Sequence, residues 1–316
     1  MPDTNFDTPV LFIIFNRPDC TQQVFERIRS VRPKKLFVAA DGPRADRPGE
    51  DELCCKVREI VGQVDWDCAV KTFFQGTNLG CKKAVSGAIN WFFENVEEGI
   101  IIEDDCLPDV TFFNYCKDLL IKYRDDARVM VISGTNLQFG KRRNNYSYYF
   151  SKHLHVWGWA SWRRAWKHYD VNINLWPEIR DGGWLQDLFD DKKKVEYWES
   201  IFERVYKGKI DTWDYQWGLA CWAQSGLIIL PNINLISNIG FGQEATHTTG
   251  EHKVANLKTE AMHFPLNHPT HKLKDCRADS FTDKLMYSTG RKSLVERAIK
   301  KCSGVYSRIY VNKSRT

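Results

Sequence analysis

The chain has 316 residues, 43% of them hydrophobic, 27% charged and 13% aromatic, which is enough apolar mass for a sizeable core and excludes a disordered chain. No run approaches the ~18 uninterrupted apolar residues of a membrane span, and the opening MPDTNFDTP lacks the basic-then-apolar order of a secretory signal. The net charge of +5 is unevenly spread: from Arg291 onward eight Lys and Arg face Glu296 alone, a local charge of +7, so the body is nearly neutral and implies no nucleic acid partner, whereas the tail suits an anionic membrane surface. Ten cysteines without a CxxC pair, two of them adjacent (Cys54 and Cys55), point to reduced thiols in a cytoplasmic enzyme and disfavour zinc.

Taken in order, VLFIIF (10–15) is an unbroken apolar run, as expected of a strand buried on both faces, and it ends at Asn16-Arg17-Pro18. A helix follows with Val24, Ile28 and Val31 on one side. KKLFVAADGPR (34–44) is a second strand broken by Asp41-Gly42-Pro43, and AVKTFFQ (69–75) a third. TNLG then turns into a helix carrying Ala84, Ala88, Trp91 and Phe92. GIIIEDD (99–105) is a short buried strand running into three acids, and VMVISG (129–134) is another strand. Alternating strands and helices with short connections predict an α/β fold with a mostly parallel sheet flanked by helices. Such sheets bind ligands beyond the carboxyl ends of their strands, where Arg17, Asp41 and Glu103-Asp104-Asp105 all fall.

The second half is rich in tryptophan and less regular. Helical spacing is clear in VEYWESIFERVYKG (195–208), closed by Gly208, and in TWDYQWGLACWAQSG (212–226), closed by Gly226, while LIILP and LISNIG read as strands. No linker, repeat or low-complexity segment divides the chain. The expected organisation is one two-part domain over 1–270, its donor part about 8–135 and its acceptor part about 136–270, followed by a basic tail over 271–316. In that tail Val295, Ile299, Cys302, Tyr306 and Ile309 form a helical stripe, either membrane-facing or packed on the body or a partner.

Each chemical constellation has a plainer alternative. Glu103-Asp104-Asp105 suit a hard cation such as Mg²⁺ or Mn²⁺, or a solvated loop before a helix. Arg17 can fork onto a base or phosphate and Asp41 can accept from a base or ribose, unless they are a surface arginine and a turn aspartate. Asp211 or Thr212 can cap a helix whose first turn carries Asp214, and Asp214 between Trp213 and Trp217 suits a general base. His247 can complete a metal shell, touch a phosphate or stand on the surface. Trp157 and Trp159 can stack on a sugar or fill the core.

With these residues in place, the chain resembles the inverting glycosyltransferases of the GT-A fold, nearest to the N-acetylglucosaminyltransferase I type and its bacterial relatives in surface-polysaccharide gene clusters. The resemblance runs in order through most of residues 9–265: FIIFNRPDCTQQVF, VAADGP, GCKKA, IIIEDDCLPDVTFF, VWGWASW, TWDYQW and ISNIGFGQEATH. It implies that Arg17 contacts the nucleotide, Asp41 binds the base and Lys83 faces the nucleotide. It further implies that Asp105 ligates Mn²⁺ or Mg²⁺, Asp104 serves the ribose or a metal-bound water, and Glu103 faces the transferred sugar. VWGWASW, with Trp157 and Trp159, corresponds to the acceptor side, as does Trp213. Asp214 lies in the segment that holds the catalytic aspartate, and His247 in the loop that closes on the donor. Tyr215 departs from the family, which has a second acid there. The implied activity is metal-dependent, inverting transfer of a sugar from a nucleotide-diphosphate sugar, UDP-linked and UDP-GlcNAc-like, to a hydroxyl of a glycan or lipid-linked acceptor in surface polysaccharide synthesis. The expected location is cytoplasmic, peripheral on the cytoplasmic face of the membrane only if the basic tail binds there. A glycoside hydrolase and a non-catalytic glycan-binding module are the alternatives that acid-rich, Trp-lined clefts leave open.

Overall fold

The computed structural model describes residues 6–240 and 254–286. The elements of the first half are β1 (Val10–Ile14), α1 (Pro18–Val31), β2 (Lys35–Ala40), α2 (Glu50–Val61), β3 (Ala69–Phe74), α3 (Gly80–Asn95), β4 (Glu98–Glu103), β5 (Cys106–Pro108), α4 (Thr111–Tyr123) and β6 (Val129–Ser133). Those of the second are β7 (Tyr148–Ser151), β8 (Trp159–Trp162), α5 (Arg163–Trp166), α6 (Trp176–Asp181), α7 (Leu185–Leu188), α8 (Lys192–Tyr206), α9 (Asp214–Ala223), β9 (Leu227–Pro231), β10 (Ile236–Asn238) and α10 (Cys276–Met286).

Eight strands form one sheet in the order β3-β2-β1-β4-β8-β6-β9-β7, and β10 pairs with β5 in a small second sheet. β1 runs parallel to β2 and β4, β2 to β3, and β6 to β9, whereas β8 and β7 are antiparallel to their neighbours. Six of the eight strands therefore point the same way, as expected for an α/β fold with a mostly parallel sheet. The unbroken apolar runs arise because both faces are covered. Val10, Phe12 and Ile14 enter one core with Val24, Phe25 and Ile28 of α1, while Leu11 and Ile13 enter another with Val85, Ala88, Ile89 and Phe92 of α3. A third cluster joins α6, α8 and α9 through Trp176, Trp198, Phe202 and Trp222.

The two expected parts share the sheet. β8 lies between β4 and β6, and β9 beside β6, so strands of the second half stitch into the first. The chain beyond 270 also continues onto the body. α10 docks at β7, where Asp279 accepts from Ser151 Oγ at 2.5 Å, and Asp283 pairs with His153 Nε2 at 2.9 Å and with Lys194 Nζ at 2.8 Å. The helix expected around 295–309 lies outside the described residues, as does His247. Among the described residues, no helix is long and apolar enough to cross a membrane.

The α10 clasp predicts an acid-sensitive stability. Burial alone would raise the Asp283 carboxyl, but the His153 and Lys194 partners outweigh it and hold the group at about 2, below its ordinary 3.8. The folded state thus binds this proton less readily than the unfolded chain. The resulting stabilisation, about 2 kcal/mol, is present above pH ~4 and lost as pH falls towards 2. Urea midpoints of wild type and Asp283→Asn should differ most near neutrality and converge at the acid end of that window.

Candidate active site

The carboxyl ends of β1, β2, β3 and β4 meet the amino end of α9 at a cavity of about 500 Å³, lined among others by Arg17, Asp41, Glu103, Asp104, Asp105, Trp157, Trp213 and Asp214. Parallel register brings Ile13 beside both Ala39 and Glu103, so residues distant in sequence leave the sheet at one edge.

Asp104 ties β1 to β4. Its Oδ2 accepts from Phe15 N–H at 3.0 Å, and its Oδ1 lies 3.4 Å from Arg17 Nη1. The same Nη1 approaches Asp105 Oδ2 at 2.6 Å. Burial would lower the Arg17 pKa, but the Asp104 and Asp105 carboxylates more than offset this and hold the guanidinium charged. Arg17 thus stands among the acids at the sheet edge as their resident cation. Burial pushes the Glu103 and Asp104 carboxyls upward. Asp105 and Asp104 reinforce that rise at Glu103 while Arg17 opposes it; at Asp104, Arg17 opposes and Asp105 reinforces. A Cβ on Gly240 would come within 2.3 Å of Asp105 Oδ2, so glycine is what lets the chain after β10 lie against this carboxylate.

Asp41 is engaged by its own chain. Its carboxylate accepts from Gly42 N–H at 2.9 Å, Leu79 N–H at 2.9 Å, Gly80 N–H at 3.2 Å and Asn78 Nδ2 at 2.9 Å. Burial raises its pKa and these backbone donors pull it back. The residue folds the 76–80 loop that walls the cavity.

Asp214 is half-buried in the first turn of α9, with Thr212 Oγ1 donating to its Oδ1. Asp211 is a cap, but of a different helix from the one expected. It accepts from Cys81 N–H at 3.1 Å and Lys82 N–H at 3.3 Å at the start of α3, where the local cap position, Leu79, supplies no side-chain acceptor. Asp211→Ala should therefore cost about 1 kcal/mol of stability, read as a lowered urea midpoint.

Two expected site residues lie off the cavity. Trp159 is fully buried in β8 and stacks on Trp213 with centroids 5.8 Å apart, because a central strand has no solvent face. Lys83 is exposed on α3; Cys81, Ala84 and Val85 form the helix face that lines the cavity, and position 83 turns away from it. Trp157 is half-buried and lines the cavity, and Trp213, though buried, reaches it. Phe15, Arg44, Gln75 and Asn78 also line it and had not been singled out. The rule that marked Arg17 and Asp41 at strand ends applies equally to Gln75, the residue after β3.

No protein-family model matches the chain, and no curated protein matches it. Among solved structures it is similar to a cytidylyltransferase from Leptospira borgpetersenii serovar Hardjo-bovis, with 12% identity over 56% of this chain and 71% of that one and a TM-score of 0.33. It is also similar to 4-diphosphocytidyl-2C-methyl-D-erythritol synthase from Anaerococcus prevotii, with 10% identity, 53% and 75% coverage and a TM-score of 0.32. A third similar structure is UDP-glucose pyrophosphorylase complexed with UDP-glucose, with 11% identity, 72% and 90% coverage and a TM-score of 0.35.

Proposed function

We propose that the chain is a metal-dependent inverting glycosyltransferase that uses a UDP-linked sugar and glycosylates a hydroxyl of a glycan or lipid-linked acceptor in surface polysaccharide synthesis. The observation that carries this reading is the single cavity in which the Arg17–Asp104–Asp105 cluster at the sheet edge faces Asp214 on α9, walled by Trp157 and Trp213. Its donor part is the edge formed by β1 to β4, and its acceptor part is the α9 side.

Among the described residues, no group of three or more His, Cys, Asp or Glu side chains surrounds a cation position. The oxygen-only set at Asp104 and Asp105 nevertheless fits a hard divalent ion, which takes one or two protein carboxylates when substrate phosphates supply other ligands. Asp105 would hold it, and when bound the ion supplies neutralising charge to a departing diphosphate. The remaining steps belong to the chain. Arg17 places positive charge at the leaving-group end of the cavity. The acceptor hydroxyl oxygen bonds to the anomeric carbon as the bond from that carbon to the phosphate oxygen breaks. The diphosphate leaves with the bonding electrons, and Asp214 takes the hydroxyl proton. Attack from the face opposite the leaving group inverts the anomeric configuration. Glu103 lines the same cavity, within reach of the charges of both groups, and would contact the transferred sugar.

Thermal shift with a panel of sugar nucleotides, with and without Mn²⁺, followed by assay of UDP release, tests the reading, because a ligand that binds only the folded chain raises its melting temperature. One observation favours a second reading. Glu103, whose carboxyl is pushed upward, shares the cavity with Asp214, an acid and a base as a glycoside hydrolase needs. Cleavage of a glycoside without nucleotide or metal would establish hydrolysis and remove the transferase proposal.

A further inference from the structure

The face outside β7 carries positive charge and outward apolar side chains that the body does not use for its own packing. Two segments build it: the loop FGKRR (139–143) before β7, and HKLKDCR (271–277), which leads into α10. Both are fixed to the fold. Lys274 forms a bridge with Phe150 of β7, and Asp275 N–H donates to Phe150 C=O at 2.7 Å. Arg143 Nη1 lies 3.4 Å from Asp275 Oδ1, and Lys141 Nζ stands 3.9 Å over the Phe281 ring of α10, so loop and helix share one surface.

The charge there is in excess. The two segments hold six Lys and Arg against Asp275 alone, and α10 adds Lys284 while its own acids, Asp279 and Asp283, are buried. Lys272 pairs with Asp126, Arg143 with Asp275, and Arg142 reaches Glu260 at 3.9 Å. Lys274, Arg277 and Lys284 are exposed and make no ion pair among the described residues. Arg277, Phe281 and Lys284 recur at steps of four and three, which is one side of α10. Apolar groups stand among these cations. Leu273 is 73% exposed. Phe139 has a φ of 51°, in the left-handed region that favours glycine, and sets its exposed ring edge-on to Phe281 at 6.4 Å.

Cations interleaved with outward aliphatic and aromatic side chains match an interface where anionic headgroups overlie acyl chains. A second copy of the chain fits poorly, because a two-fold contact would set this charge against itself. A soluble polyanion would meet the cations and leave Leu273 and Phe139 in water. Beyond Met286, where α10 ends, the sequence continues with charge of the same sign, eight Lys and Arg against Glu296 from Arg291 onward.

We propose that this face docks on an anionic lipid bilayer. Headgroup phosphates meet Lys274, Arg277 and Lys284, and Leu273 and Phe139 enter the acyl boundary. β7 lies at the opposite end of the sheet from β3, so docking here leaves the cavity beyond β1 to β4 free. The inference stands without the donor reading.

The test is co-sedimentation of the full chain with vesicles of phosphatidylcholine, alone or in equal parts with phosphatidylglycerol. Wild type should bind the anionic vesicles and not the neutral ones, with affinity falling as salt rises. The triple variant Lys274→Gln, Arg277→Gln, Lys284→Gln keeps the tail and removes the unpaired cations. At about fivefold per cation near such a surface, its vesicle affinity should fall by roughly 100-fold. Leu273→Ser combined with Phe139→Asn should weaken binding by about 10-fold or more through lost apolar burial. All five side chains are exposed, so melting temperatures should stay near that of wild type. Lys284→Gln alone, expected to cost about fivefold, replaces the triple variant should that fold poorly. Wild-type affinity in the charge variant or in the apolar variant would assign the binding to the tail and overturn the proposal. Equal binding to neutral vesicles, binding to dextran sulfate without binding to vesicles, or no binding at all would overturn it as well.

Discussion

Asp214→Asn is expected to lower turnover by about 10²–10⁴-fold, the usual loss when a positioned general base is removed. UDP affinity and its metal dependence should change little, because the groups proposed to meet the nucleotide leave the sheet at β1 to β4 while Asp214 is carried by α9. The amide keeps the volume of the carboxylate and can still accept from Thr212 Oγ1, so the first turn of α9 should survive. The melting temperature should therefore stay near that of wild type. Asp211 is the internal comparison. It lines the same cavity and lies three residues earlier, yet both its oxygens hold the start of α3. Its substitution should show in stability, with turnover reduced only as far as the α3 loop moves. Near-full turnover in Asp214→Asn, with loss in Asp211→Asn, would transfer the base role to Asp211.

The contrast between these two aspartates shows what a linear reading can reach. Arg17, Asp41 and the 103–105 acids were legible because a buried parallel strand is an unbroken apolar run and its carboxyl end is the first polar position after it. Their convergence then follows from register, as Ile13 beside Ala39 and Glu103 illustrates. The role of Asp211 was not legible, because the amides it caps are 130 and 129 residues away in the chain. The commitment of Asp41 to the 76–80 loop was hidden for the same reason.

Tryptophan was the other obstacle. WASW shows no alternation that separates a cavity wall from a core strand, and only its insertion between β4 and β6 buries Trp159 on both sides. Trp157, two residues earlier and across Gly158, remains half-buried at the cavity. By contrast α2 was missed although legible in principle. Cys54, Val57, Ile60 and Val61 recur at helical spacing in an otherwise charged segment. Lys83 was a question of phase: the helix was expected, but which of its faces met the cavity depended on how α3 sits on the sheet.

Asp105→Asn should abolish the gain in UDP affinity on adding Mn²⁺ and, with it, transfer. A neutral amide is a poor substitute for an anionic oxygen at a hard cation, and a loss of at least ~10-fold in metal affinity is the expected scale, since even outer partners of a ligand cost that much. The fold should tolerate the change. Asparagine matches the aspartate in volume, which matters where Gly240 leaves no room, and Arg17 retains Asp104 as its second carboxylate. The pH dependence has a definite sign. Burial raises the Asp104 and Glu103 carboxyls, so on the acid side these groups hold protons that a cation must compete with. Metal-dependent UDP binding should therefore strengthen as pH rises and weaken as it falls. Titrating UDP into wild type and Asp105→Asn at several pH values, with and without Mn²⁺, measures both effects. An undiminished Mn²⁺ gain in the variant would remove Asp105 from the metal's ligands and leave Arg17 as the cation that faces the diphosphate.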